Sequence, residues 1–166
     1  MFKENDFKGW MEKVDEVKKG ELDLSKDEDL SIAIMNLISL EEHFYFSAMK
    51  TDNQKYIDML HSVREIRKEL LKKILKKPEA EEWCISKHLL AASMRLIEVG
   101  TKELSKDKKE ANKYFKSAFE LYSLFFAINL KMVGVEKLEK IDVKENKMMK
   151  RFSDMIKKIV DCCKEW

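Results

Sequence analysis

The sequence has few of the residues that make tight turns. Proline occurs once and glycine four times in 166 residues, whereas a sheet of several strands needs a turn between each pair of strands. Long segments without turn residues favour helices instead. We therefore expect an all-α protein, and at this length a single helical-bundle domain that spans 1–166.

Long apolar runs and paired cysteines are also missing. No uncharged run approaches the roughly 20 residues that cross a bilayer. The first ten residues, MFKENDFKGW, lack the apolar core of a signal peptide. There are three cysteines, of which Cys162 and Cys163 are adjacent, and this is a poor basis for a disulfide framework. The sequence thus predicts a cytoplasmic protein with reduced thiols and no membrane partner.

The signatures of common catalytic and cofactor sites are absent. The sequence has no glycine-rich phosphate loop, no Cys-x-x-Cys pair and no Ser/His/Asp arrangement. Cys84 and His88, four residues apart, offer two of the about four ligands that zinc needs. The Glu-x-x-His motif of di-iron bundles does not occur. We predict no metal and no cofactor, and we favour a protein that is not an enzyme.

The charge is close to balance. A formal net charge of +2 gives no general argument for a nucleic-acid partner, and we do not expect such a partner. One basic run comprises Arg64, Lys68, Lys72, Lys73, Lys76 and Lys77. It has the spacing of a phosphate-binding stripe, but Glu65 and Glu69 interleave with it, and lysines at the end of a helix complement the helix dipole. We favour the second interpretation.

Apolar residues recur at helical spacing in six segments. The predicted helices cover about 2–19, 26–50, 53–76, 79–104, 107–132 and 143–164. Ser25-Lys-Asp-Glu28 and Thr51-Asp-Asn-Gln54 have the capping-box pattern, and Pro78 suits the start of the fourth helix. Short connections between long helices predict antiparallel neighbours in a bundle.

The fourth predicted helix, about 79–104, contains a stretch with few charges. Its segment Glu82–Gly100 has only four charged side chains, and its apolar residues fall in two stripes. One stripe comprises Ile85, Leu89, Ala92, Leu96 and Val99, and the other Trp83, Leu90, Met94 and Ile97. A helix that is apolar on two sides is covered on two sides. We therefore predict that this helix is central in the bundle.

One stretch resembles part of a known repeat. Gly100, Ala111, Phe115 and Ala118 match the small and aromatic positions of a single tetratricopeptide-type helical hairpin after a one-residue deletion. Such repeats need neighbours for stability, and no second copy occurs. An ordinary antiparallel hairpin gives the same pattern, and that is the interpretation we favour.

Several polar residues lie on apolar faces of the predicted helices. They are Glu41 in 26–50, Arg67 in 53–76, the line of Cys84, His88 and Arg95 in 79–104, and Tyr122 in 107–132. A buried charge needs a partner. In a chain whose basic residues are mostly lysine, an arginine on an apolar face suggests two-pronged hydrogen bonding to a carboxylate.

Counting residues outward from the turns predicts one polar layer. The layer comprises Glu41, Arg95 and one or both of His61 and Arg64, and the same count places His88 near Arg67 and Tyr122. We favour a buried network in which Glu41 pairs with Arg95 or Arg64 and fixes the helix register. A pocket for a small anionic or polar ligand is the alternative, and a catalytic site that uses His88 or His61 is the third interpretation.

These patterns predict a non-catalytic cytoplasmic interaction or scaffold module, whose partner is another protein or a second copy of the chain. The candidate surface for self-association is the apolar stripe of 143–164, which ends in Cys162, Cys163 and Trp166. Packing of this stripe on the bundle is the simpler explanation. The alternative function is a protein, or an enzyme, that binds a small anionic or polar ligand in the polar layer.

Overall fold

The computed structural model describes residues 12, 15, 16, 19, 23–79, 81–132, 154 and 157. Its helices are α1 (Ser25–Thr51), α2 (Gln54–Ile74), α3 (Glu82–Glu103) and α4 (Lys108–Asn129). Within the described ranges the expected all-α class is confirmed, and four helices are found, at the places of four of the six predicted ones. The predictions for 2–19 and 143–164, including Cys162, Cys163 and Trp166, lie outside the described residues apart from a few single positions.

Short polar side chains set the starts of two helices. Asn53 accepts a hydrogen bond from the backbone nitrogen of Lys55 at 3.1 Å and so caps α2. Asp107 caps α4 by accepting from the nitrogens of Lys109 and Glu110. The predicted capping residue Ser25 instead lies inside α1, which has no side-chain cap. The predicted caps were therefore wrong in position by one or two residues, although the helices themselves begin near the predicted places.

The helices form two antiparallel hairpins. In the first, Phe44 of α1 stacks on Tyr56 of α2 with ring centroids 6.4 Å apart. In the second, Ser93 of α3 donates a hydrogen bond to the carbonyl of Ala118 in α4 at 2.9 Å. A Cβ atom added to Gly100 would lie 2.6 Å from the ring of Phe115. The glycine therefore permits the close approach of α3 to α4.

The two hairpins share a core at one end of the molecule. This end contains the starts of α1 and α3 and the ends of α2 and α4, so that α1 and α3 run in the same direction. The buried core cluster comprises Leu24, Ile34, Met35, Leu71, Ile74, Leu75, Leu90, Phe125, Phe126, Ala127 and Met132. Ser31 of α1 and Tyr122 of α4 share a hydrogen bond of 2.7 Å between their hydroxyls, which ties one hairpin to the other.

The helix α3 packs on α4 and also contributes to the core shared with α1. Its buried residues fall on a single face and comprise Glu82, Ser86, Leu90, Ser93 and Gly100. Ile97 and Val99, one from each predicted apolar stripe, are exposed. Serine and glycine carry no apolar signal in the sequence, yet their small size is what lets α3 pack closely on α4.

None of the helices in the described part of the chain is both long enough and apolar enough to span a membrane.

Candidate functional site

The most buried ion pair in the described part of the chain joins α1 to α2. Glu41 is buried on α1, and Arg67 is buried on α2. Arg67 donates from Nε to Oε1 of Glu41 at 2.8 Å and from Nη2 to Oε2 at 3.2 Å. Arg64, whose side chain is half exposed, donates from Nε to Oε2 at 3.1 Å. Three charge-assisted hydrogen bonds thus satisfy both oxygens of one carboxylate.

The electrostatics of this contact keep Glu41 ionised. Burial by itself would raise the pKa of the Glu41 carboxyl, because a low-dielectric environment disfavours the charged form. The hydrogen bonds and positive charges of Arg67 and Arg64 outweigh the burial, and the pKa is lowered below its ordinary value. A carboxylate held in this way is poorly suited to proton transfer, and it holds the two helices in register.

We expected Arg95 to lie in one layer with Glu41 and to be one of its two possible partners, but Arg95 does not pair with Glu41. Its guanidinium pairs instead with Glu42, the next residue of α1, and with Glu98 of its own helix at 2.8 Å. Successive helical residues point about 100° apart, so Glu41 faces α2 while Glu42 faces α3. Counting from the turns predicts the height of a residue along a helix but not the direction in which its side chain points.

The remaining predicted site residues do not converge on this contact. His61, His88 and Cys84 are exposed, and the Cys84 thiol is free. Tyr122 lies at the junction of the two hairpins, where it bonds to Ser31. Burial is the main cause that raises the pKa of its hydroxyl to about 12. The expected single layer is therefore divided into separate contacts, and no group of three metal-ligating side chains occurs among the described residues.

One face of α1 changes from buried to exposed along the helix. Met35, Glu42 and Met49 are spaced seven residues apart and form one row on this face. Met35 is 4% exposed, Glu42 is exposed and Met49 is 61% exposed. The neighbouring positions Tyr45 and Phe46 are 49% and 57% exposed. The side of α1 that is buried near its start is thus open to solvent near its end.

The helix α3 shows the same change along its length. Its row at seven-residue spacing begins with Leu90, which is fully buried, and continues with Ile97 and Leu104, which are 40% and 43% exposed. Leu90 and Met35 both belong to the shared core, so the two rows continue faces that meet there. We call the surface formed by Tyr45, Phe46, Met49, Ile97 and Leu104 the open end.

The open end was not identified from the sequence. The repeated seven-residue spacing of apolar residues was present, but such spacing is also that of an ordinary core stripe. Their exposure depends on how the hairpins pack against each other, which the spacing of apolar residues along one helix does not determine.

Comparison with known proteins gives no further guide to the site. No family model matches the sequence, and no curated protein and no solved structure is significantly similar to it. The function is therefore argued from the side chains of this chain alone.

Proposed function

We propose that the protein is a non-catalytic cytoplasmic helical-bundle module that binds an amphipathic helix of another protein at the open end. The observation that carries the proposal is the change from buried to exposed along the rows Met35–Glu42–Met49 and Leu90–Ile97–Leu104. Contiguous exposed apolar surface is costly in water and commonly marks an interaction site.

The shape of the partner follows from the spacing of these rows. Two helices that run in the same direction and present apolar residues every seven positions have the pattern into which a further helix packs, with its side chains between theirs. Helix-in-groove recognition uses apolar anchors three, four and seven residues apart on the bound segment. Phe46 and Met49 are the largest exposed contributions from α1, and they are the expected anchor contacts.

The ionisable residues support a module without catalytic activity. Glu41 has both oxygens occupied by arginines, and His61 and His88 are exposed on different helices. A general base needs both a free lone pair and a position next to the substrate. The alternative of a ligand bound at the polar layer has less support, because Arg95 lies in a separate ion pair with Glu42.

Selection of helical peptides tests the proposal. A displayed library of amphipathic helices is selected on the wild-type protein, and the affinity of the selected peptides is measured for the double variant Phe46→Ser/Met49→Ser. The matched control is Met59→Ser/Ile66→Ser, which removes two similarly exposed apolar side chains from α2.

The expected result is a loss of at least about tenfold in affinity, or about 1.4 kcal/mol, for the open-end variant and little change for the control. Equal loss in both variants would contradict the proposal, as would a failure to select any peptide. Concentration-dependent dimerisation of the free protein that Phe46→Ser/Met49→Ser abolishes would assign the surface to a second copy of the chain instead.

A further inference from the structure

A cleft of about 890 Å³ opens at the end of the molecule where α1 and α3 begin. Six lysines line it, namely Lys26, Lys72, Lys73, Lys76, Lys77 and Lys131, together with three carboxylates, Asp23, Asp27 and Glu82. Its apolar walls include Leu30, Ile74 and Ile128. This volume lies within the range of small-molecule sites, about 300–1,000 Å³.

Two of the three carboxylates of the cleft have hydrogen-bond partners in the fold. Glu82 is buried and accepts hydrogen bonds from Nζ of Lys131 at 2.7 Å and from the backbone nitrogen of Glu79 at 2.8 Å. Asp23 accepts from the backbone nitrogen and the hydroxyl of Ser25 at 3.0 and 2.7 Å. Because six lysines face three carboxylates, the carboxylates neutralise only part of the surrounding positive charge.

Asp27 is the third acid. It is partly buried, and burial is the main cause that raises the pKa of its carboxyl. The nearby positive charges of Lys76 and Lys26 act in the opposite direction. Asp27 therefore offsets part of the positive charge of these two lysines.

Most of the lysines, in contrast, are not engaged. Lys131 is held by Glu82, and Lys72 is paired with Glu69 at 2.7 Å. The other four are Lys26, Lys73, Lys76 and Lys77, and they form no side-chain hydrogen bond or close ion pair with any residue in the described ranges. Like charges crowded around a concave surface raise the local potential and attract anions.

The cleft does not extend into a basic track along α2. Arg64 is directed to Glu41, and Lys68 is paired with Glu65 at 2.9 Å. Between Arg64 and Lys77, the unpaired lysines are thus confined to the end of α2 and the start of the connection that follows it. An extended nucleic acid would need a longer series of unpaired cations to neutralise its regularly spaced phosphates.

From this arrangement we infer that the cleft binds a small polyanion that carries at least two phosphate or carboxylate groups, with Lys73, Lys76 and Lys77 as its main contacts. Two anionic groups are required because these lysines are distributed over the end of α2 and the connection that follows it. The apolar walls accommodate a neutral part of the ligand. This site is separate from the open end and does not depend on the function proposed above.

Calorimetric titration with inorganic tripolyphosphate, pyrophosphate and orthophosphate tests the inference. The cleft variant is Lys73→Gln/Lys76→Gln/Lys77→Gln. The matched control, Lys102→Gln/Lys109→Gln/Lys116→Gln, removes the same charge from exposed positions on α3 and α4. Since all six side chains are exposed, both variants should fold, and circular dichroism verifies that they do.

We expect tripolyphosphate to bind the wild-type protein more tightly than orthophosphate does. The cleft variant should lose about tenfold or more in affinity for tripolyphosphate, while the control changes by less than about threefold. Equal losses in the two variants would show that only the overall charge matters and would overturn the inference. Absence of tripolyphosphate binding would also overturn it, as would tighter binding of a single-stranded RNA oligonucleotide that the cleft variant retains.

Discussion

Arg67 spans the carboxylate of Glu41 with two hydrogen bonds, Nε to Oε1 at 2.8 Å and Nη2 to Oε2 at 3.2 Å. Both residues are buried between α1 and α2. The adjacent Glu42 points toward the other hairpin, where it pairs with the half-exposed Arg95. The buried pair of Glu41 with Arg67 and the exposed pair of Glu42 with Arg95 therefore differ mainly in burial, and this difference determines how much each contributes to stability.

Replacement of Glu41 by alanine should destabilise the protein much more than replacement of Glu42. Glu41→Ala leaves the guanidinium of Arg67 buried without its partner, which we expect to lower the free energy of unfolding by about 3 kcal/mol. Glu42→Ala breaks an exposed pair and should cost less than about 1 kcal/mol. Urea denaturation of the two variants measures both values. Similar losses would contradict the assignment of Glu41–Arg67 as the register contact.

The contribution of Glu41 should depend on pH. Because its pKa is lower in the folded protein than the ordinary value of 4.5, its contribution is fully present above pH 4.5. As the pH falls, the unfolded chain takes up the proton first, and the contribution is lost as the pH approaches the folded pKa. The difference in unfolding free energy between the wild type and Glu41→Gln should therefore shrink as the pH falls from about 6 to about 3. A difference that stays constant across this range would argue against the pairing.

Ser86 and Ser93 occupy the same buried face of α3, but we expect opposite effects from their replacement. The hydroxyl of Ser86 is buried and has no hydrogen-bond partner in the described part of the chain, whereas Ser93 donates to the carbonyl of Ala118. Ser86→Ala removes an unsatisfied polar group and should stabilise the protein by about 1 kcal/mol, and Ser93→Ala should destabilise it by about the same amount. Thermal unfolding of the two variants provides the comparison. A loss of stability in Ser86→Ala would indicate that its hydroxyl has a partner after all.

Tyr122 should ionise at an unusually high pH. Burial raises the pKa of its hydroxyl from 10.0 to about 12, so that between these values the unfolded chain releases a proton that the folded protein keeps. Stability should therefore fall as the pH rises through this range. Ultraviolet titration of the phenolate band should show a late step that Tyr122→Phe removes. If the variant keeps that step, the late ionisation belongs to another tyrosine and Tyr122 is less enclosed than its contact with Ser31 implies.

Some of these features could be read from the sequence and others could not. The helical class followed from periodicity and from scarce turn residues, and the contact between Glu41 and Arg64 followed from counting heights outward from a two-residue turn. The partner of Arg95 could not be predicted in this way, because a shift of one residue along α1 rotates the direction of a side chain by about 100°. Counting residues predicted how high along a hairpin a contact lies. It did not predict which helix a side chain faces, because that depends on how the two hairpins pack.

The buried face of α3 was not identified from the sequence either, and the cause is different. Ser86, Ser93 and Gly100 are buried because they are small and allow close approach to α4, and a hydrophobic pattern gives no weight to such residues. Exposure of Phe46 and Met49 was unpredictable because it depends on how the two hairpins pack against each other.

The open end is the central claim, and site-specific photo-crosslinking tests it most directly. A benzophenone amino acid is introduced at Phe46 on α1, at Ile97 on α3 or, as the control, at Ile66 on α2, and each protein is irradiated with a helical peptide selected on the wild type. Crosslinks from both position 46 and position 97, with none from position 66, are the predicted result. Crosslinks from position 66 alone, or from neither 46 nor 97, would place the partner elsewhere and contradict the proposed function.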